Sequence, residues 1–161
     1  MNRPDILLLS FLLIIVTISV VALAVPDCVY TIKIQTGTRE DAGTDSVIGV
    51  TLSDNSEHFI DIKNVERWGG IMGSGHNYNE NGNLEIFTGK EKCLPSPICL
   101  LTLTSDGSGN KPGWYVDYVE VTTAKVRSVR TVQRFSVQQW LAIDESPYEL
   151  TTERNNCGEN Q

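Results

Sequence analysis

Histidine is scarce in this chain. Only His58 and His76 occur in 161 residues, and the scarcity narrows the chemistry open to it. The nucleophile-elbow pattern G-x-S-x-G, the zinc-protease pattern H-E-x-x-H and a phosphate-binding glycine loop are all missing. Ser74 and His76 stand close in sequence, but neighbours along a chain do not make a catalytic triad. No enzymatic activity is expected. Lys/Arg runs are also missing, and the formal net charge is −7. Such a surface repels phosphate backbones, and anionic bilayers too unless a basic patch or bridging cation intervenes, so nucleic acid is excluded as a partner. No N-x-S/T sequon occurs, and Asn155-Asn156-Cys157 fits only a rare variant, so the protein is expected to be unglycosylated. Helical periodicity, internal repeats and linkers are all but absent. A single domain is expected.

What the chain does have begins at its N-terminus. Asn2-Arg3 is followed by an apolar run from Ile6 to Val21, broken only by Ser10, Thr17 and Ser19. Ala22-Leu23-Ala24 supplies small residues at the two positions a signal peptidase reads. A signal peptide over 1–24 is expected, then a domain over 25–157 and a flexible tail over 158–161. The alternative is a retained signal anchor, because the run approaches a membrane span. Either way the route is secretory, to the endoplasmic-reticulum lumen or the outside of the cell. The chain ends at Gln161 without a K-D-E-L-type signal, so luminal retention would need a bound resident.

A secretory route makes disulfides the expectation for Cys28, Cys93, Cys99 and Cys157. Three pairings are open. Pro95 and Pro97 bend the segment between Cys93 and Cys99, which favours a tight local loop. Cys28 and Cys157 would then join the ends of the domain. Zinc is the rival reading, with His58 or His76 completing the set, but no C-x2–4-C pair exists.

Period-two alternation dominates the rest. Tyr30, Ile32 and Ile34 alternate with Thr31, Lys33 and Gln35, and Ile48, Val50 and Leu52 with Gly49, Thr51 and Ser53. Further runs cover Phe59–Ile62, Leu84–Phe87, Ile98–Thr104 and Trp114–Val121. Thr131–Ile143 is read as two strands, one around Phe135 and Val137 and one around Trp140 and Leu141, with Tyr148–Thr152 closing the set. Seven or eight strands separated by Gly, Asn, Asp and Pro turns predict an all-β sandwich or barrel. Trp114 and Trp140 are expected in its core.

Specific strings then add to the periodicity. They are AGTDS at Ala42–Ser46, W-G-x-x-M-G at Trp68–Gly73, GNLEIF at Gly82–Phe87, CLPSPIC at Cys93–Cys99 and LTSDGSG at Leu103–Gly109. GWYVDYVEV at Gly113–Val121, QWLA at Gln139–Ala142, SPYEL at Ser146–Leu150 and RNNC at Arg154–Cys157 complete the order. Together they resemble the stand-alone PLAT/LH2 domain proteins of the plant stress-associated branch, across essentially all of Cys28–Cys157. The resemblance implies a β-sandwich of two four-stranded antiparallel sheets. It also implies a non-catalytic module that engages lipid or membrane surfaces or protein partners, in some relatives with calcium, and a role in abiotic or biotic stress. The chain departs from that pattern where the branch has an Asp near Asn77, an aromatic near Asn79 and an Arg near Asn81. A Cys found in relatives near Arg130 is also missing, which leaves an even number.

Three loop features are candidate sites. Asp41, Thr44 and Asp45, with Asn77, Asn79 and Glu80, offer the carboxylate, amide and hydroxyl oxygens that calcium takes. The same residue types also form turns through local side-chain bonds. No cofactor is required, and calcium is the one to test. Asp106–Asn110 superficially resembles an EF-hand loop, but Lys111 stands where that loop needs glycine, so a flexible hairpin is expected. Trp68, Ile71, Met72 and His76 occupy a glycine-rich stretch. An exposed apolar cluster there would suit a bilayer interface or partner groove, while the alternative for Trp68 is a core tryptophan capping the sandwich.

Overall fold

The structure, a computed structural model, describes residues 25–125 and 129–158. The expected signal segment and most of the expected tail lie outside the described residues. Eight strands form: β1 (Asp27–Thr36), β2 (Ile48–Ser53), β3 (Phe59–Ile62), β4 (Leu84–Lys92), β5 (Leu100–Ser105), β6 (Trp114–Lys125), β7 (Thr131–Leu141) and β8 (Thr151–Asn155). They make two antiparallel sheets of four, ordered β4-β1-β6-β7 and β3-β2-β5-β8. The expected all-β sandwich is therefore found.

Alternation explains the layering. In β1 every second residue from Cys28 to Ile34 is buried, because strand side chains point to opposite faces and one face meets the other sheet. Tyr30, Ile32, Ile34, Phe87, Val119, Val121 and Phe135 from one sheet pack with Val50, Leu52, Ile62, Leu101 and Leu103 from the other. Burying each large apolar side chain contributes about 1.5–3 kcal/mol. Trp114 is fully buried, as expected, and its indole N–H donates to Thr36 Oγ1 at 3.0 Å. Trp140 is not in the core. It pairs with Tyr115, on the face away from Trp114, and is half-exposed.

Three other expectations are corrected. The segment expected as two strands is one strand, β7, continuous across an irregularity where Val137 and Gln138 oppose Asp117 alone. The last strand begins at Thr151, three residues later than the alternation predicts. A five-residue helix, α1 (Val65–Gly69), stands in the long connection to β4. The side chain of Asn64 caps it by accepting from Arg67 N at 2.9 Å, a preferred use of Asn.

The disulfides join Cys28 to Cys93 and Cys99 to Cys157, not Cys93 to Cys99. The reason lies in the topology. The 93–99 segment crosses from β4 in one sheet to β5 in the other, and packed sheets stand about 10 Å apart. Cys28 pairs with Glu91 in the β1–β4 ladder, next to Cys93, while Leu100 pairs with Asn155 beside Cys157. Each cysteine therefore bonds within its own sheet. Both staples sit at one end of the sandwich.

Candidate functional site

The opposite end carries the loops β1–β2, α1–β4, β5–β6 and β7–β8. Backbone hydrogen bonds knit the first three together. Thr44 N donates to Asn79 O at 3.1 Å, Gly82 N to Gly37 O at 2.9 Å and Asp45 N to Lys111 O at 3.4 Å. Gly43 allows a close approach: a Cβ there would lie 2.8 Å from Asn81 N, so any larger residue would push the two loops apart. Asp41 and Asn79 hold positive φ values of 55° and 60°, a conformation that Asp and Asn tolerate better than most.

Between these loops opens a cleft of about 380 Å³ lined by Asp41, Gly43, Thr44, Asp45, Asn77, Glu80, Asn81, Asn110 and Lys111. Five of the six residues expected to offer calcium oxygens therefore meet in one place. The sixth, Asn79, is buried and does not line the cleft. Its Oδ1 is the one buried side-chain polar atom without a hydrogen-bond partner among the described residues.

Three of these five residues already have an oxygen engaged: Asp41, Glu80 and Thr44. Lys111 Nζ lies 2.6 Å from Asp41 Oδ1. This hydrogen bond, then the Asp41 charge and those of Glu80 and Asp45, raise the Lys111 ammonium above the usual lysine range. Glu80 Oε1 accepts from the Asn77 amide. The Thr44 hydroxyl donates to Lys111 O at 2.8 Å. Calcium takes about six to eight oxygens, waters and carbonyls among them, and among the described residues no three His, Cys, Asp or Glu side chains gather as a metal-holding group. With the Lys111 ammonium seated on Asp41, the residues as arranged do not fit a calcium ion.

A second cleft, of about 470 Å³, shares Asp41, Asn110 and Lys111 and continues to Glu40, Trp140, Asp144 and Glu145. The Trp140 ring meets Tyr115 edge-on at 5.4 Å, and Arg39 lies over Tyr115 at 4.1 Å. Sequence reasoning missed Lys111, Trp140, Asp144 and Glu145 as site residues. Lys111 carried a signal, because it is the one cationic residue in the turn segment Ser105–Gly113. The others carried none, since alternation assigns Trp140 to a strand without saying which face it takes.

The expected contact group is split. The Trp68 ring covers Gly89, where a Cβ would lie 2.4 Å from it, and its N–H donates to Glu91 Oε1 at 2.9 Å. Trp68 thus plugs the β4 side of the sandwich and packs partly buried against the core. His76 is turned inward, with Nε2 2.8 Å from Oε2 of the fully buried Glu85. Only Ile71 and Met72 stand exposed, at 57% and 43%. Asp106 caps its own turn. The Ser108 hydroxyl, then the Ser108 and Val47 N–H groups, donate to its carboxyl and hold it below the usual carboxylate range, as a hairpin loop requires.

Comparison with known proteins agrees with this architecture. The PLAT/LH2 domain profile matches residues 30–154. PLAT domain-containing protein 2 of Arabidopsis thaliana is 58% identical over 98% of this chain and 87% of its own. PLAT domain-containing protein 1 of the same plant is 55% identical over the same shares. Among solved structures, coral 8R-lipoxygenase, described for calcium activation via a C2-like domain, superposes with a TM-score of 0.57 at 23% identity. That superposition covers 79% of this chain and 16% of the lipoxygenase, and it speaks to the fold alone.

Proposed function

The chain belongs to the PLAT/LH2 domain family, and from that premise we propose that it is a non-catalytic docking module of the secretory pathway. Its contact surface is the loop end of the sandwich, and its target is a membrane surface. The observation that carries the reading is the convergence of three loops on one open cleft at the end remote from both disulfides. Exposed apolar side chains accompany it. Ile71 and Met72 stand at the start of the long loop, and Ile143 and Tyr148 stand on the β7–β8 loop, 69% and 65% exposed. A stapled scaffold fixes the loops, and the loops carry specificity. The disulfides support a secretory setting. A role in plant stress responses is what the resemblance of its sequence motifs to the plant stress-associated branch implies.

Charge decides which membrane suits it. Glu40, Asp45, Asp144 and Glu145 stand exposed at this end without an ion pair among the described residues. Anionic lipid would be repelled, so zwitterionic vesicles are the better target. The same acidity favours a second reading, a basic protein partner. Flotation of the mature protein with zwitterionic and with anionic vesicles, each in calcium and in chelator, tests the first reading. Binding to zwitterionic vesicles in chelator is expected. Absence of flotation in all four conditions removes the membrane and leaves the protein partner.

A further inference from the structure

We propose that the side chain of Lys111 is the resident cation of the loop cleft, seated where a divalent ion would otherwise bridge the loops, so that this end works without calcium. The inference rests on the loop end being the contact surface. The argument begins with how Lys111 is held. Its carbonyl accepts from the Thr44 hydroxyl at 2.8 Å and from Asp45 N at 3.4 Å, so the backbone of the β5–β6 loop is fastened to the β1–β2 loop. The ammonium then reaches Asp41 Oδ1 at 2.6 Å. Glu80, from the α1–β4 loop, and Asp45 add their fields at the same group.

Three loops thus share one positive charge, supplied by a covalently tethered group. Lysine is a compact point charge with three donors, so it can bond Asp41 directly while the charges of Glu80 and Asp45 bear on it. Asp41 and Lys111 are 69% and 65% exposed, and salt screens the pair. The tether is what matters: a divalent ion entering the cleft would meet a fixed like charge a few ångströms away. From the Coulomb energy near a surface, that repulsion weakens calcium binding by about tenfold or more.

Nitrogen-15 correlation spectra recorded during a calcium titration test this in the wild type, Lys111→Met and Lys111→Glu, each first checked for an unchanged thermal midpoint without calcium. The wild type is expected to show no saturable shifts at the Asp41, Asp45 and Glu80 amides up to about 1 mM calcium, the weak end of extracellular sites. Lys111→Met should bind at least about tenfold more tightly than the wild type, and Lys111→Glu more tightly still. Adding Asp41→Asn to Lys111→Met should reverse the gain. Equal affinities in the wild type and Lys111→Met would overturn the proposal, and so would no binding by either variant. Because no vesicle enters this assay, its failure is separate from failure of the flotation experiment.

Discussion

The carboxyl of Glu85, fully buried on the core face of β4, lies 2.8 Å from Nε2 of His76, fourteen residues beyond the nearest upstream strand in sequence but packed against β4 in space. Glu85 pairs with Ile34 in the ladder, so its side chain points where a hydrocarbon would be expected. Among the described residues, apart from His76, only the Asn83 amide reaches it, at 3.4 Å. Removing one partner of such a pair leaves a buried charge uncompensated, which costs more than the pair contributes. His76→Ala should destabilise the fold by about 2–3 kcal/mol, and His76→Ala with Glu85→Gln should recover part of that. Urea midpoints at constant slope measure both; a shift under about 0.5 kcal/mol for the single variant would contradict the account.

The staples make a covalent prediction. Non-reducing digestion should release one linked peptide holding Cys28 and Cys93 and another holding Cys99 and Cys157. A Cys93–Cys99 peptide would refute the topology. The bridges span separations of 65 and 58 residues, for which chain entropy alone gives about 4 kcal/mol each. Replacing both cysteines of either pair with serine should lower stability by about 2–4 kcal/mol, since strain and residual unfolded structure subtract from the ideal value.

Acid should act through Asp54. Burial pushes its carboxyl up, but N–H groups of Ser56, His58 and Ser96 donate to it and outweigh that, together with the nearby His58 ring, so it stays below the usual carboxylate range. A group depressed in the folded state contributes stability that is complete above its unfolded value. That stability is lost as pH falls through the folded one. Between about pH 5 and pH 2 the wild type should therefore lose stability faster than Asp54→Asn. Chemical denaturation across that range measures the two slopes, and parallel slopes would remove Asp54 from the explanation.

Much of this molecule is legible in the sequence because a half-buried strand must alternate. Cys28 to Gln35 and Leu100 to Ser105 declare their inner and outer faces directly. What stays hidden is non-local. Whether Cys93 meets Cys99 depends on which sheet each flanking strand joins, and strand order is not written in any local window. Gln138, at φ 48°, marks the extra residue that lets β7 run on, and a bulge of that kind resembles a strand break when only alternation is read. Trp68 is ambiguous for the same reason: only the pairing of Tyr30 with Gly89 leaves the gap its ring fills. At the loop end, residue types pointed to cation-binding oxygens, but not to the lysine that takes Asp41 first.

Gly89 offers a direct check of that tryptophan plug. A Cβ there would lie 2.4 Å from the indole, so Gly89→Ala must displace the ring. The displaced ring would also lose its bond to Glu91. Overpacking of this kind costs about 1–3 kcal/mol. Trp68→Phe keeps much of the packing and loses only the N–H, so it should cost less. If Gly89→Ala matches the wild type in urea midpoint, the ring does not seal this side.

The final prediction separates two surfaces that the long α1–β4 loop connects. Ile71 and Met72 stand exposed at its start, whereas Asn77 and Glu80 line the cleft near its end. Ile143 and Tyr148 stand on a different loop at the cleft end. If apolar insertion at the loop end anchors the module, Ile143→Ser with Tyr148→Ser should weaken zwitterionic vesicle binding at least as much as Ile71→Ser with Met72→Ser. Each exposed large side chain that moves from water into an apolar layer contributes about 1–2 kcal/mol, so either double variant should lose about tenfold or more in affinity. All four positions are solvent-exposed, so the urea midpoint should move by less than about 0.5 kcal/mol. Loss confined to the Ile71 and Met72 pair would shift the contact surface to the β4 flank and relieve the cleft of any role in docking.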